Sequence, residues 1–151
     1  MKKIVILVII LIVFLIFSKD QDNLVMVNKL DSIEDNMTVV YFYIPNLSTK
    51  NIINYFDDNS NIIGLYPYVN PIYKKKTGDM FYGFNNQSLK KNINNFIKIY
   101  KTKLINNNFN SDAIMIEYNG IKIEAVKAYM NKKDIKSFLK KCKNCNYSLT
   151  K

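Results

Sequence analysis

The first seventeen residues constrain this chain more than any other stretch. Residues 4–17 read Ile-Val-Ile-Leu-Val-Ile-Ile-Leu-Ile-Val-Phe-Leu-Ile-Phe, without one polar side chain. Lys2 and Lys3 precede the run, and Ser18-Lys19-Asp20 closes it. Such a run at an extreme N-terminus reads as an export or anchoring signal. It amounts to roughly 21 Å of helix, short of the roughly 30 Å hydrocarbon core. That length suits the apolar region of a cleavable signal. The cleavage side points the other way, because only Ser18 is small and Leu15, Ile16 and Phe17 before it are bulky. Lys2, Lys3 and Lys19 can snorkel and stretch the span. The reading is therefore an uncleaved transmembrane signal-anchor over residues 1–18, with a cleaved signal as the alternative. Lysines precede the span and acidic residues soon follow it. The N-terminus is then cytoplasmic and the rest of the chain lies on the far side.

Residues 19–36 are polar and acidic and read as a juxtamembrane stalk. Residues 37–151 are long enough for one domain with a real core. The chain has 22 lysines and 22 asparagines, with no arginine, histidine or tryptophan. An AT-rich coding sequence is the simplest cause. The missing arginine also argues against nucleic acid as a partner, since bidentate phosphate and guanine contacts favour that side chain. Charge is uneven. Residues 18–73 hold 3 lysines against 7 acids, and residues 74–151 hold 17 against 5. A solvated lysine-rich surface accounts for this; a basic face for an acidic partner is the sharper reading.

Local patterns predict an α+β domain with a largely antiparallel sheet, in the order β-α-β-β-α-β-β-α. Residues 37–44 are β-branched and aromatic and predict a central strand buried on both faces. Pro45 ends it. A helix is expected from Ser48 to about Asp58, with Ile52, Ile53 and Phe56 inward. Ile62 to Val69 reads as a strand demoted to an edge or bulged piece by Gly64 and Pro67. Residues 70–79 read as a loop and Met80 to Phe84 as a third strand. From Ser88 to Ile105, Leu89, Ile93, Phe96, Ile97, Tyr100 and Leu104 make one helical stripe. Ile114–Tyr118 and Ile121–Ala125 flank Asn119-Gly120, which predicts a type I′ hairpin with Glu117 opposite Lys122. Asn131 is expected to cap a last helix carrying Asp134, Ile135, Phe138, Leu139 and Cys142.

Chemistry is sparse. Without histidine there is no imidazole base or ligand. No phosphate loop or metal-ligand cluster is evident, so neither a catalytic residue nor a cofactor is assigned. Asp112, Glu124 and Lys127 loosely suggest a nuclease-like set. Their Glu-x-x-Lys spacing, however, sends the two strand side chains to opposite faces. Cys142 and Cys145 form Cys-Lys-Asn-Cys, which suits a short local disulfide. Free thiols, or a shared metal or intermolecular bridge, are the other readings. Sequons at Asn36, Asn46, Asn86 and Asn146 matter only in a glycosylating compartment.

The 11 tyrosines and 9 phenylalanines stand out more. Tyr66, Tyr68, Tyr73, Phe81 and Tyr82 gather in a segment with two prolines and the run Lys74-Lys75-Lys76. Ordinary core packing is one reading. A contact surface with Lys74, Lys75 and Lys76 as its rim is the functional one.

The layout resembles the small N-terminally anchored subunits of the poxvirus entry–fusion complex. The matching features are Met1 to Phe17, Asn119-Gly120, and Asp134-Ile135-Lys136 with Leu139. The resemblance implies a virion membrane protein with one span, a compact ectodomain, protein partners in a complex, and a non-enzymatic role in fusion. A membrane-anchored or exported hydrolase, or a secreted binding domain, is the competing class. The anchor is directly testable. The intact chain is expected to stay in the membrane pellet through an alkaline carbonate wash. Release of the intact chain rules the anchor out, and a mature N-terminus near Lys19 shows a cleaved signal.

Overall fold

The computed structural model describes residues 36–142 and 144–149. The predicted anchor 1–18 and the stalk 19–36, apart from Asn36, lie outside the described residues. Among the described residues no helix is long and apolar enough to cross a membrane.

The described part is an α+β domain built on one five-stranded antiparallel sheet. Its strands are β1 (Thr38–Tyr43), β2 (Ile62–Pro67), β3 (Tyr82–Gly83), β4 (Ile123–Met130) and β5 (Asn146–Leu149). The helices are α1 (Pro71–Thr77), α2 (Leu89–Asn106), α3 (Asn110–Asn119) and α4 (Lys132–Lys141), with a 3₁₀ turn at Ile52–Asn54. The sheet order is β3-β2-β4-β1-β5. β4 is central and pairs with both β1 and β2, Phe42 and Leu65 each lying opposite Val126.

Strand alternation separates two faces. Val40, Phe42, Leu65, Val126 and Ala128 point to one face and are fully buried. Helices α2 and α4 cover that face. Phe138 of α4 stacks on Phe56 at 4.8 Å and meets Phe42 at 4.2 Å. Phe96 of α2 lies 5.2 Å from Tyr82. Helix α3 packs on α2, where the exposed Lys101–Glu117 ion pair joins them. Buried Asn92 pins the loop into α2 by donating to the carbonyls of Asn85 (3.1 Å) and Gln87 (2.9 Å) and accepting from the Asn85 amide.

Helix α2, its Ser88 cap, the last helix and its Asn131 cap fall where the pattern predicts. Other elements differ, each for a physical reason. The expected hairpin at 114–125 does not form. Residues 110–119 are helix α3, and β4 begins only at Ile123. Gly120 adopts φ +70° and returns its N–H to the Ile116 carbonyl at 2.8 Å. A positive-φ glycine serves a helix C-terminus as well as a turn. Asn119 has no positive φ, which a type I′ turn requires. Asp112 in the first turn favours the helix. Glu117 consequently pairs with Lys101 rather than Lys122.

The helix expected after Ser48 shrinks to one 3₁₀ turn. The Asn51 side chain accepts from the Ser48 amide at 2.7 Å and donates to the Asn46 carbonyl. Such local bonds compete with helix propagation. Ile52 and Phe56 are nevertheless buried, while Ile53 is exposed. The expected loop at 70–79 contains α1, with Pro71 in its first turn and Asn70 capping Ile72. β2 is bulged as expected, with register shifts at Ile62/Gly64 and Tyr66/Pro67, but lies inside the sheet. β1 is buried on one face only, and Tyr43 on the other is exposed. β5 was not anticipated; its four residues form an edge strand beyond a Cys142–Cys145 disulfide with a Cα separation of 5.5 Å.

Gly64 shows how tightly one corner is packed. A Cβ there would meet ring atoms of Phe81 at 2.5 and 2.6 Å, and the Tyr82 carbonyl as well. Gly64→Ala is expected to destabilise the domain by about 1–3 kcal/mol, read as a lowered midpoint in denaturant unfolding.

Candidate functional site

The second face of the sheet has no described helix over it, and its side chains follow from strand register. Val39, Tyr41 and Tyr43 of β1 alternate with the core residues and share this face. Tyr41 lies opposite Lys127, and Val39 opposite Tyr129. Tyr66 of β2 lies opposite Ala125 of β4. Phe81, just before β3, folds over Gly64, which is why that position tolerates no Cβ.

The result is a contiguous aromatic layer. Tyr66 is 4.8 Å from Phe81 and 5.9 Å from Tyr41, centroid to centroid. Lys127 stands between them, its Nζ 5.5 Å from the Tyr41 ring and 5.6 Å from Phe81. This double cation–π contact keeps an ammonium at the centre of an otherwise uncharged cluster. Tyr43 and Ser148 extend the face toward β5 through a hydroxyl contact of 3.3 Å. Tyr43, Phe81 and Tyr129 keep 40, 46 and 45% of their surface exposed. Burial raises the Tyr66 phenol above its ordinary pKa, and the neighbouring phenols of Tyr41 and Tyr43 add to the effect.

The residues singled out between 66 and 82 do not form one surface. Tyr66 and Phe81 belong to the aromatic sheet face. Tyr68 is exposed elsewhere, with Lys122 Nζ 4.8 Å above its ring. Tyr73 is a core residue, only 1% exposed and packed edge-on against Phe109 at 5.0 Å. Tyr82 points to the helix-covered side, against Phe96. Lys74, Lys75 and Lys76 are exposed on α1. Lys74 is paired with Asp79, which raises its pKa. Lys76 lies 5.3 Å over the Phe109 ring. Tyr41, Tyr43, Lys127 and Tyr129 join the aromatic face although the segment 66–84 omits them. Strand alternation around Tyr41 and Tyr129 was the available signal.

Asp112, Glu124 and Lys127 are not brought together. Asp112 is in the first turn of α3 and lines a cavity that neither of the others reaches. Glu124 acts on Lys74 of α1. Lys127 lies on the aromatic face. No group of three or more His, Cys, Asp or Glu able to hold a metal occurs among the described residues. Comparison with known proteins finds no matching family model, no matching curated protein and no matching solved structure.

The Tyr100 phenol, buried in α2, is pushed up to about 12, chiefly by burial and then by Tyr73 and Asp112. A raised folded-state pKa favours the neutral form in the fold. Its contribution is complete below the unfolded value of 10.0 and is lost as pH rises through about 12. Alkaline titration of tyrosinate absorbance is expected to show a late component that Tyr100→Phe removes. Stability should fall across that same window in the wild type.

Proposed function

We propose that this chain is a non-enzymatic single-pass membrane protein. Its domain docks a protein partner on the open sheet face within a membrane-bound assembly. One observation carries the reading. Tyr41, Tyr66 and Phe81 form a contiguous ring cluster around Lys127, and the exposed Tyr43 and Tyr129 share the same sheet face. Isolated exposed apolar residues need no explanation, but a contiguous patch marks a contact site. Tyrosine supplies wide contact area at small entropic cost, and aromatic residues are enriched at interface centres. The partner's chemistry follows from Lys127. An apolar surface with one carboxylate placed to meet that ammonium is complementary, whereas a basic surface is excluded.

The apolar N-terminal run 4–17 supports the membrane setting, with the domain on the far side of the bilayer. The likeness to entry–fusion subunits supports virion assembly and fusion as the context. The competing hydrolase or nuclease reading needs Asp112, Glu124 and Lys127 in one pocket, and their separation disfavours it. The absence of arginine, with most lysines carried on helices rather than on this face, disfavours nucleic acid as occupant.

Photo-crosslinking residues placed at Phe81 and Tyr129 of the full chain, in its native membrane, are expected to capture one defined protein. The same group at Lys91 or Lys133, on α2 and α4, should capture none of it. Lys127→Glu should abolish the cross-link while the domain stays folded, its stability falling by no more than about 1–2 kcal/mol for the two lost cation–π contacts. Equal capture from the helix positions, or a cross-link indifferent to Lys127→Glu, rules the face out.

A further inference from the structure

A cavity of about 210 Å³ lies away from the aromatic face, between α2, α3 and the β2–α1 turn. Its floor carries Tyr73, whose side chain is buried and whose hydroxyl has no hydrogen-bond partner among the described residues. The Thr77 hydroxyl donates to the Tyr73 carbonyl at 3.1 Å, and it also acts on the phenol, lowering its pKa against the larger rise that burial causes. An unsatisfied buried hydroxyl is costly and calls for an explanation. Tyr100 and Leu104 form one wall and Ile116 another, all three buried. Asp112 lies at the mouth and makes no salt bridge among the described residues.

We infer that this cavity is a binding site for a small organic amine with an apolar body. The groups present match an ammonium and its stem. Asp112 offers a carboxylate, the Tyr73 oxygen offers unused lone pairs, and the Tyr68, Tyr73 and Tyr100 rings supply π faces for a cation. Lys122 Nζ already rests 4.8 Å above Tyr68, so an ammonium is accommodated at this rim. Lys122 does not neutralise Asp112. Both residues line the cavity, and no salt bridge joins them. Leu104, Met115, Ile116 and Ile121 provide the apolar lining. The volume is below the ~300–1,000 Å³ of drug-sized sites, so the ligand is fragment-sized. This inference does not rest on the partner-docking reading.

The test uses the full chain in non-ionic detergent, with benzylamine as probe and benzyl alcohol and benzoate as neutral and anionic counterparts. Amide chemical shifts are expected to report saturable benzylamine binding centred on Tyr68 to Tyr73, Tyr100 to Leu104 and Asp112 to Lys122. Benzyl alcohol should bind roughly tenfold more weakly, in line with one lost charge-assisted hydrogen bond, and benzoate more weakly still. Asp112→Asn should remove the preference for amine over alcohol. Tyr73→Phe should weaken benzylamine without lowering the unfolding midpoint, because the oxygen it removes is unpartnered. The inference is overturned by any of three results: no saturable response, equal affinity for the amine and the alcohol, or amine binding that both variants leave unchanged.

Discussion

The domain depends on the pairing of β4 with β1 and β2 at once. Val126 faces Phe42 on one side and Leu65 on the other, and all three are fully buried. Neither neighbour strand reaches the other except through β4. Register here fixes which residues see the helices, because a slip of one residue would exchange the two faces. With Val126 inward, Phe42 meets Phe56 and Phe138, and the aromatic trio closes the core under α4. The same register sends Tyr41, Lys127 and Tyr129 to the opposite side. The core and the candidate docking face are thus two consequences of one set of hydrogen bonds.

The cavity depends on a different junction. Its walls come from α2, α3 and the chain that leads from Tyr68 into α1, held where the Tyr68 amide donates to the Lys122 carbonyl at 2.8 Å. Gly120 is needed there twice. Its positive φ ends α3, and the space beside its Cα is already taken by Thr49 and Lys50. The Thr49 hydroxyl accepts from the Ile121 amide at 3.0 Å, and the Lys50 ammonium caps α3 at the Tyr118 carbonyl. The segment after β1 therefore fastens the end of α3, although it lacks the helix that its composition suggests.

Sequence pattern reveals long periodic elements and mishandles short punctuated ones. Helix α2 repeats its stripe from Leu89 to Leu104, so its period is unambiguous. Ser88 and Asn131 announce their helices because their side chains have one evident use there. Asn119-Gly120 is ambiguous in principle: positive φ serves a hairpin or a helix end, and only the fate of Ile114 to Tyr118 decides. Those residues alternate well enough for a strand, yet as a helix they leave Ile114, Met115 and Tyr118 exposed. α1 is hidden because residues 70–79 read as a loop, whereas Pro71 sits in the first turn of a helix. The aromatic face was half legible. Tyr66 and Phe81 were singled out by composition. Tyr41 and Tyr129 needed the β1–β4 register, which joins positions 88 residues apart in sequence. The cavity could not be read at all, since its lining comes from three separate segments.

Lys127 also bears on what kind of partner the proposed docking face would accept. A bare aromatic sheet face invites stacking on a second copy of itself. Two copies packed about a two-fold axis near Lys127 would set one ammonium against the other, and both would lose water. The cation–π contacts with Tyr41 and Phe81 hold the charge in place, so it cannot easily swing aside. The sheet edges are short as well, two residues at β3 and four at β5, which limits edge-to-edge pairing. Self-association is disfavoured through the face and through the edges. A heterologous surface with a carboxylate at the matching point relieves the charge and still buries the rings. On the proposed docking reading the lysine would act as a selector, discouraging the identical surface and rewarding a complementary one.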